Sequence, residues 1–422
     1  MIRALLAAAS LTLAACALET SAPAPDRAAH DARLAALVTG DGDPAHALAG
    51  TVLVVMRGEE TVYAGAAGRA RIDPVRGDRA LTPETKFRWA SVSKMVVGMT
   101  ALDLEREGAV NLDANLSEAL GWPLHRPDDP ARAITLRQAL DHTSSIRDPA
   151  AYWVPLPGNI RTLFEGEAAP FSAHTPGDWF EYANLNYGLA ATAMEAATGE
   201  RFDRLAARML NAAGLDAGFN WSGVSAAARR SGATLYRKVD GVWTPQVDDL
   251  DTLEDHAPLV LKDEGANLAD YTPGTNGTLF SPQGGLRASA VDLARLVRLL
   301  RAPRYAPLSS DPWVYDPARP NGTTAEAGVS AEGLFTAYGL GVQLLPGDVP
   351  TAAWPGETLI GHSGDAYGLL SGAWVQADGD VAFAYAITGV NADINMPPGE
   401  RTAFTLYEEK LLDLAREIAA AD

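Results

Sequence analysis

Ser91-Val92-Ser93-Lys94 heads an apolar run, Met95-Val96-Val97-Gly98-Met99-Thr100-Ala101-Leu102. The run reads as a buried helix, and on a helix residues three apart share a face. Ser91 and Lys94 then point the same way at the helix N-terminus, where backbone N–H groups are unpaired and the dipole end is positive. A serine hydroxyl becomes a nucleophile only when something takes its proton. An amine in apolar surroundings has a lowered pKa and can take it. The chain holds five lysines, and this is its one Ser-x-x-Lys. Taken alone, the same residues also describe an N-cap serine followed by a lysine reaching for solvent.

Two further clusters carry usable chemistry. Tyr182-Ala183-Asn184 follows the turn Thr175-Pro176-Gly177-Asp178 and precedes a helix starting near Leu185. A tyrosine beside a lysine ammonium loses its proton more readily and can relay it. An asparagine can hold a substrate amide through both its donor and its acceptor. Gly361-His362-Ser363-Gly364 is placed ahead of a strand at Leu369, with a turn over 365–368 between them. Gly364 lets the backbone approach a ligand closely. His142, in Asp141-His142-Thr143-Ser144, is read as structural. The seven histidines are scattered and no His-Glu-x-x-His occurs, so metal-dependent hydrolysis finds no support.

The elements that must position these groups follow from periodicity. Helices are expected over 29–37, 91–107, 134–142, 187–197, 201–213, 290–300 and 401–420. Strands are expected at 51–56, 61–66, 339–345, 369–376 and 381–388, with Asp378-Gly379 as the last turn. Asp240-Gly241 centres a hairpin over 234–244. Asp248 to Gly277 is acidic, rich in turn residues and fits no element. Strands at both ends and helices between predict an α/β (α+β) fold. One mostly antiparallel sheet is built from both termini, with a mostly helical insertion over about 95–280.

The N-terminus bounds the compartment. Arg3, the apolar small-residue stretch Ala4 to Ala15, and then Cys16 have the shape of a signal peptide over residues 1–15. Leu13-Ala14-Ala15-Cys16 resembles a bacterial lipobox, which implies a lipid on Cys16, a tether over 16–28 and a catalytic domain over 29–422. The expected location is the bacterial cell envelope, anchored to the membrane and facing the periplasm. Cys16 is the single cysteine, so no intramolecular disulfide is possible. A formal charge of −19 argues against nucleic acid as a partner.

Ser91-x-x-Lys94, Tyr182-Ala183-Asn184 and His362-Ser363-Gly364, in this order and spacing, resemble the three motifs of the serine β-lactamase and DD-peptidase superfamily. The nearest likeness is to class C β-lactamases, related serine DD-carboxypeptidases and the esterases that share their fold. Phe87 to Lys94, Leu140 to Ser144, Gly284-Gly285-Leu286 and Asp292-Leu293-Ala294 add to it, so the likeness runs from Gly50 to Val390. It implies a serine hydrolase with no cofactor, acting through an acyl-enzyme on a small-molecule or peptide substrate: an ester, an amide or a D-amino-acid peptide. Ser91 is then the nucleophile, Lys94 its base and Tyr182 the proton relay. Asn184, His362, Ser363 and Gly364 bind substrate, and the N–H groups of Ser91 and Asp365 form the oxyanion hole.

Two positions depart from the family pattern. His362 stands where class C enzymes carry lysine, and a neutral imidazole offers no fixed charge to a substrate carboxylate. Another cation, Arg287 being one candidate, would have to hold it. Ser145 stands where relatives often have glycine. Three other classes compete. An α/β-hydrolase needs Gly-x-Ser-x-Gly, and Gly361-His362-Ser363-Gly364-Asp365 lacks the last glycine. A penicillin- or peptidoglycan-binding module with little turnover, and a true β-lactamase, are the others.

Overall fold

The computed structural model describes residues 27–166, 168–248, 268–323 and 334–421. The leader, the lipobox with Cys16, nearly all of the tether and most of the acidic stretch after Asp248 lie outside the described residues.

Three strands come from the N-terminal part: β1 (Gly50–Arg57), β2 (Glu60–Arg71) and β3 (Arg79–Ala80). The middle of the chain contributes smaller pieces. β4 (Phe87–Arg88), β6 (Gly218–Phe219) and β9 (Leu286–Ala288) form a three-stranded sheet with β9 central. β5 (Phe180–Glu181) pairs with β11 (Gly322–Thr323). β7 (Leu235–Val239) and β8 (Val242–Val247) make the expected hairpin. Its turn residues Asp240 and Gly241 both have positive φ, +49° and +77°, as a primed two-residue turn requires.

The remaining strands are β10 (Trp313–Val314), β12 (Ala337–Tyr338), β13 (Gln343–Leu345), β14 (Leu359–Ala366), β15 (Leu369–Gln376) and β16 (Val381–Thr388). They join the N-terminal strands in one nine-stranded antiparallel sheet, ordered β10-β12-β13-β14-β15-β16-β1-β2-β3. Both ends of the chain therefore meet where β16 pairs with β1, from Gly50 opposite Thr388 to Arg57 opposite Val381.

The alternation along β1 divides the interior. Leu53 and Val55 face a core that includes Leu34, Leu37, Tyr407 and Leu411 from the helices Arg27–Val38 and Leu406–Ala420. Val52, Val54 and Met56 face the other core, which takes in the helices Ser93–Arg106, Leu185–Thr198, Phe202–Ala212 and Ala290–Arg298. A strand covered on both faces reads as a continuous apolar run, and Thr51 to Met56 is buried throughout.

Four expectations need correction. The Gly361–Gly364 motif is inside β14 and does not precede a strand. Its glycines mark close contact: a Cβ on Gly361 would stand 1.9 Å from the Ala373 carbonyl oxygen, across the ladder. The strand expected over 339–345 is two short strands around a tight turn, with Gly341 at φ +83° and the Gly339 N–H bonded to the Val342 carbonyl. The last helix starts at Leu406, because Thr405 and Glu408 form a reciprocal cap there. The helix expected to reach His142 covers only Leu136–Leu140, and His142 turns away at φ +61°.

The cleft depends on how β14 meets the chain before Ser91. A Cβ on Gly364 would lie 2.6 Å from the Trp89 carbonyl oxygen and 2.6 Å from Ser371 Oγ. Only glycine fits, since backbone cannot yield as a side chain does. Gly364→Ala should destabilise the protein by about 1–3 kcal/mol and lower its thermal midpoint. Denaturant unfolding with a midpoint equal to wild type would remove this constraint.

Candidate active site

Ser91 sits in a 3₁₀ turn, Ala90–Val92, that leads into the Ser93–Arg106 helix. Ala90 has φ +48°, a left-handed conformation that costs an L-residue on the order of 1–2 kcal/mol. The strained turn presents Ser91 at a cleft of about 540 Å³, lined among others by Tyr182, Gly364, Asp365 and Tyr367.

The Lys94 side chain is fully buried. Its Nζ lies 3.0 Å from Ser91 Oγ, 2.9 Å from Asn184 Oδ1 and 3.1 Å from the Gln283 carbonyl oxygen. Desolvation lowers its pKa from the usual 10.5 to about 7, and the Asp148 carboxylate offsets part of that fall. A neutral amine has two N–H donors and one lone pair. The amide oxygen of Asn184 and the Gln283 carbonyl can only accept. They take both donors, and the lone pair is left for the Ser91 hydroxyl proton.

Tyr182 Oη donates to Ser91 Oγ at 2.9 Å. The expectation that Lys94 makes this phenol lose its proton more readily is not met, although Lys94 is near: its Nζ is 4.7 Å from the ring centroid and bonds, like the phenol, to Ser91 Oγ. Burial is the larger effect and raises the Tyr182 pKa, so the hydroxyl keeps its proton. The ring is held by Phe335 at 4.8 Å and by His142 at 4.4 Å. His142 is buried, and its Nδ1 accepts the Ala183 N–H at 3.1 Å.

Asn184 links Lys94 to a residue the sequence did not single out. Its Nδ2 donates to Asp148 Oδ2 at 2.9 Å, as does its backbone N–H, while the Leu185 N–H donates to Oδ1 at 2.8 Å. Asp148 thereby caps the Leu185–Thr198 helix and fixes the amide orientation. No local pattern around Arg147-Asp148-Pro149 gave it away.

The third motif lines the cleft, with its side chains turned to protein partners. His362 is fully buried, with Nδ1 2.5 Å from the Ser363 carbonyl and Nε2 2.9 Å from Tyr338 Oη. A carbonyl only accepts, so Nδ1 carries the proton and Nε2 accepts from Tyr338. Burial first, and the Lys94 charge second, lower the His362 pKa to about 3, so the ring is neutral. The Ser363 hydroxyl and N–H both donate to Gln343 Oε1, at 2.8 and 2.6 Å. β13 pairs with β14 only as far as Gly361, and beyond it Gly364 and Asp365 reach the cleft. Arg287 is not a cleft cation. It is buried against Asp248, with Nε and Nη2 at 3.0 and 2.7 Å from the two carboxylate oxygens. Ser145, where relatives often have glycine, adopts φ +65°, and its hydroxyl donates to the His174 carbonyl at 2.7 Å.

Known proteins place this arrangement in context. The family model described as Beta-lactamase matches residues 30–399. Esterase EstB of Burkholderia gladioli is 29% identical over 343 residues, covering 72% of this chain and 77% of the esterase. A putative fimbrial assembly protein FimD, serogroup D, of Dichelobacter nodosus is 29% identical over 139 residues. That match covers 32% of this chain, and the chain spans only about a third (35%) of that relative's length. The D-amino acid amidase of Ochrobactrum anthropi SV3 superposes with a TM-score of 0.62 at 16% identity, covering 93% of this chain and 97% of the amidase. The penicillin-binding protein homologue of Pyrococcus abyssi superposes at 0.65 with 17% identity, covering 93% and 78%.

The buried amine has a consequence for stability. Below about pH 7 the folded and unfolded chains both hold the Lys94 proton, and the burial cost is carried in full. Between about 7 and 10.5 the unfolded chain still binds it and the folded chain does not, so stability rises with pH. Wild type should therefore gain stability relative to Lys94→Met over this range, by at most about 1.4 kcal/mol per pH unit. Urea unfolding of both proteins at pH 7, 8, 9 and 10 measures it; parallel curves would contradict a lowered Lys94 pKa.

Proposed function

The chain belongs to the Beta-lactamase family, and on that footing we propose that it is a serine hydrolase working through an acyl-enzyme on Ser91. The observation that carries the proposal is the proton arrangement at Ser91. Its hydroxyl faces the Lys94 lone pair at 3.0 Å and receives the Tyr182 hydroxyl at 2.9 Å. Lys94 takes the Ser91 proton as Oγ attacks the acyl carbon. Tyr182, kept protonated by burial, hands its proton to the departing alcohol or amine, and the Lys94 ammonium restores it. Water then attacks the acyl carbon and the transfers run in reverse. The N–H groups of Ser91 and Asp365 hold the oxyanion. Asn184, His362 and Ser363 act chiefly by holding Lys94 and β14 in place, since their side chains are bonded within the protein.

The substrate is an ester, or an amide or peptide of D-amino-acid character. The similarity to an esterase and the shared fold with a D-amino acid amidase support this class. A neutral His362 in place of a lysine weighs against β-lactams, whose carboxylate looks for a permanent cation at that point. The segment Leu13-Ala14-Ala15-Cys16 supports a lipid on Cys16 and an anchored, periplasm-facing protein.

Ser91→Ala should lower hydrolysis of every substrate by about 10⁴-fold or more while leaving the unfolding midpoint close to wild type. In wild type, kcat/KM should be higher for short nitrophenyl esters than for nitrocefin, and should fall as pH drops through about 7, where Lys94 gains its proton. A tenth of the wild-type rate left in Ser91→Ala, or a preference for nitrocefin, would overturn the assignment. Expressed in a bacterial host with labelled palmitate, wild type should incorporate label and Cys16→Ser should not; equal labelling would exclude the anchor.

A further inference from the structure

Arg88 lies on β4, three residues before Ser91, in antiparallel register with Arg287 on β9. The charge of Arg287 is neutralised by Asp248, and its Nη1 donates to Asn220 Oδ1 and the Gly285 carbonyl, both at 2.8 Å. Arg88 differs: the Asp248 carboxylate acts on it only through space. Its residue is 7% exposed, and burial beside Arg287 lowers its pKa. Nη2 donates to Ser281 Oγ at 2.8 Å, and Nε is buried without an acceptor among the described residues. Its Cζ stands 4.8 Å over the ring of Tyr367. Among the described residues no carboxylate forms an ion pair with it. Of the acids lining the cleft, Glu408 accepts from Tyr385 and Thr405, and Asp365 lies in the field of Arg237.

Arg88 lines the same cleft as Ser91, and so do its neighbours Tyr367 and Gly284. A Cβ on Gly284 would lie 3.4 Å from Nη2, so the glycine puts no side chain against that nitrogen. Taking a guanidinium out of water without an ion-paired counter-charge is costly. A ligand that brings an anion relieves that cost, and the planar fork of arginine matches a carboxylate.

We propose that Arg88 is the anion-binding group of this cleft, and that the preferred esters or amides carry a free carboxylate that Arg88 receives while Ser91 attacks the acyl carbon. The proposal rests on the serine-hydrolase function above and narrows its substrate class. It also moves the recognised charge away from His362, to the Tyr367 end of the cleft.

The test uses pairs of phenyl esters that differ only by a ring carboxylate, carried once on the acyl side and once on the leaving-group side. Each kcat/KM is divided by the rate of alkaline hydrolysis of the same ester. In wild type at least one anionic ester should exceed its neutral twin. In Arg88→Gln that anionic-to-neutral ratio should fall at least tenfold, or about 1.4 kcal/mol, and Arg88→Lys should restore part of it. An unchanged ratio in Arg88→Gln, or no anionic preference in wild type, overturns the proposal. Wild type alone gives a second reading that needs no folded variant. Benzoate should inhibit neutral-ester hydrolysis at least tenfold more tightly than benzamide, and equal inhibition overturns the proposal. If wild type shows no hydrolysis that depends on Ser91, the hydrolase function fails separately. Arg88 is then judged by binding: benzoate should raise the thermal midpoint of wild type and not of Arg88→Gln, and equal shifts overturn the proposal.

Discussion

The amine of Lys94 is fully enclosed, and the site is arranged around that fact. An ammonium there loses its hydration, and the two nearby phenol rings, 4.7 and 5.2 Å from Nζ, replace little of it. The proton is lost near pH 7, and the two that the neutral amine keeps need acceptors. Asn184 Oδ1 and the Gln283 carbonyl supply them. Asn184 can only face that way because Asp148 takes its amide protons. The chain of constraint thus runs from an exposed carboxylate, through an amide, to the lone pair that meets Ser91.

The same cleft explains why the large sheet is built as it is. β14 is interior to the nine-stranded sheet at Leu359–Gly361, where β13 covers it, and open beyond. Its far side is pinned by β15 along the full length, from Leu359 opposite Gln376 to Ala366 opposite Leu369. A rigid edge is thereby held against the Trp89–Ala90 backbone, close enough that Gly364 can carry no side chain. Trp89 is fixed in turn: its indole N–H donates to the Ala288 carbonyl at 2.8 Å and its ring stacks on Phe87 at 4.7 Å. The Ser91 turn is set by packing on both sides, which is how a strained Ala90 persists.

Charge is distributed unevenly through this region. His362 is neutral, Arg287 is cancelled by Asp248, and Lys94 titrates near neutrality. Arg88 remains as a buried permanent cation on the wall of the cleft.

Sequence pattern alone brought Ser91 and Lys94 together, because they are three residues apart across a 3₁₀ turn and the first turn of the helix that follows, and their relation is local. It also determined the β7–β8 hairpin, the strands β15 and β16 and the sheet's origin in both termini, since turn residues and alternation are local signals too. Tertiary structure decided what depends on partners far away in the chain. The Gly361–Gly364 motif reads as lying ahead of a strand, and only the pairing with β15 and the approach of Ala373 and Trp89 show its glycines to be strand residues. Tyr182 and His362 take their protonation states from enclosure by groups up to a few hundred residues distant, which no local spacing encodes. Asp148 gained its place by capping a helix 37 residues on. Arg287 and Arg88 look alike in sequence, and they differ because Asp248 forms an ion pair with one, while the other has no ion-paired carboxylate among the described residues.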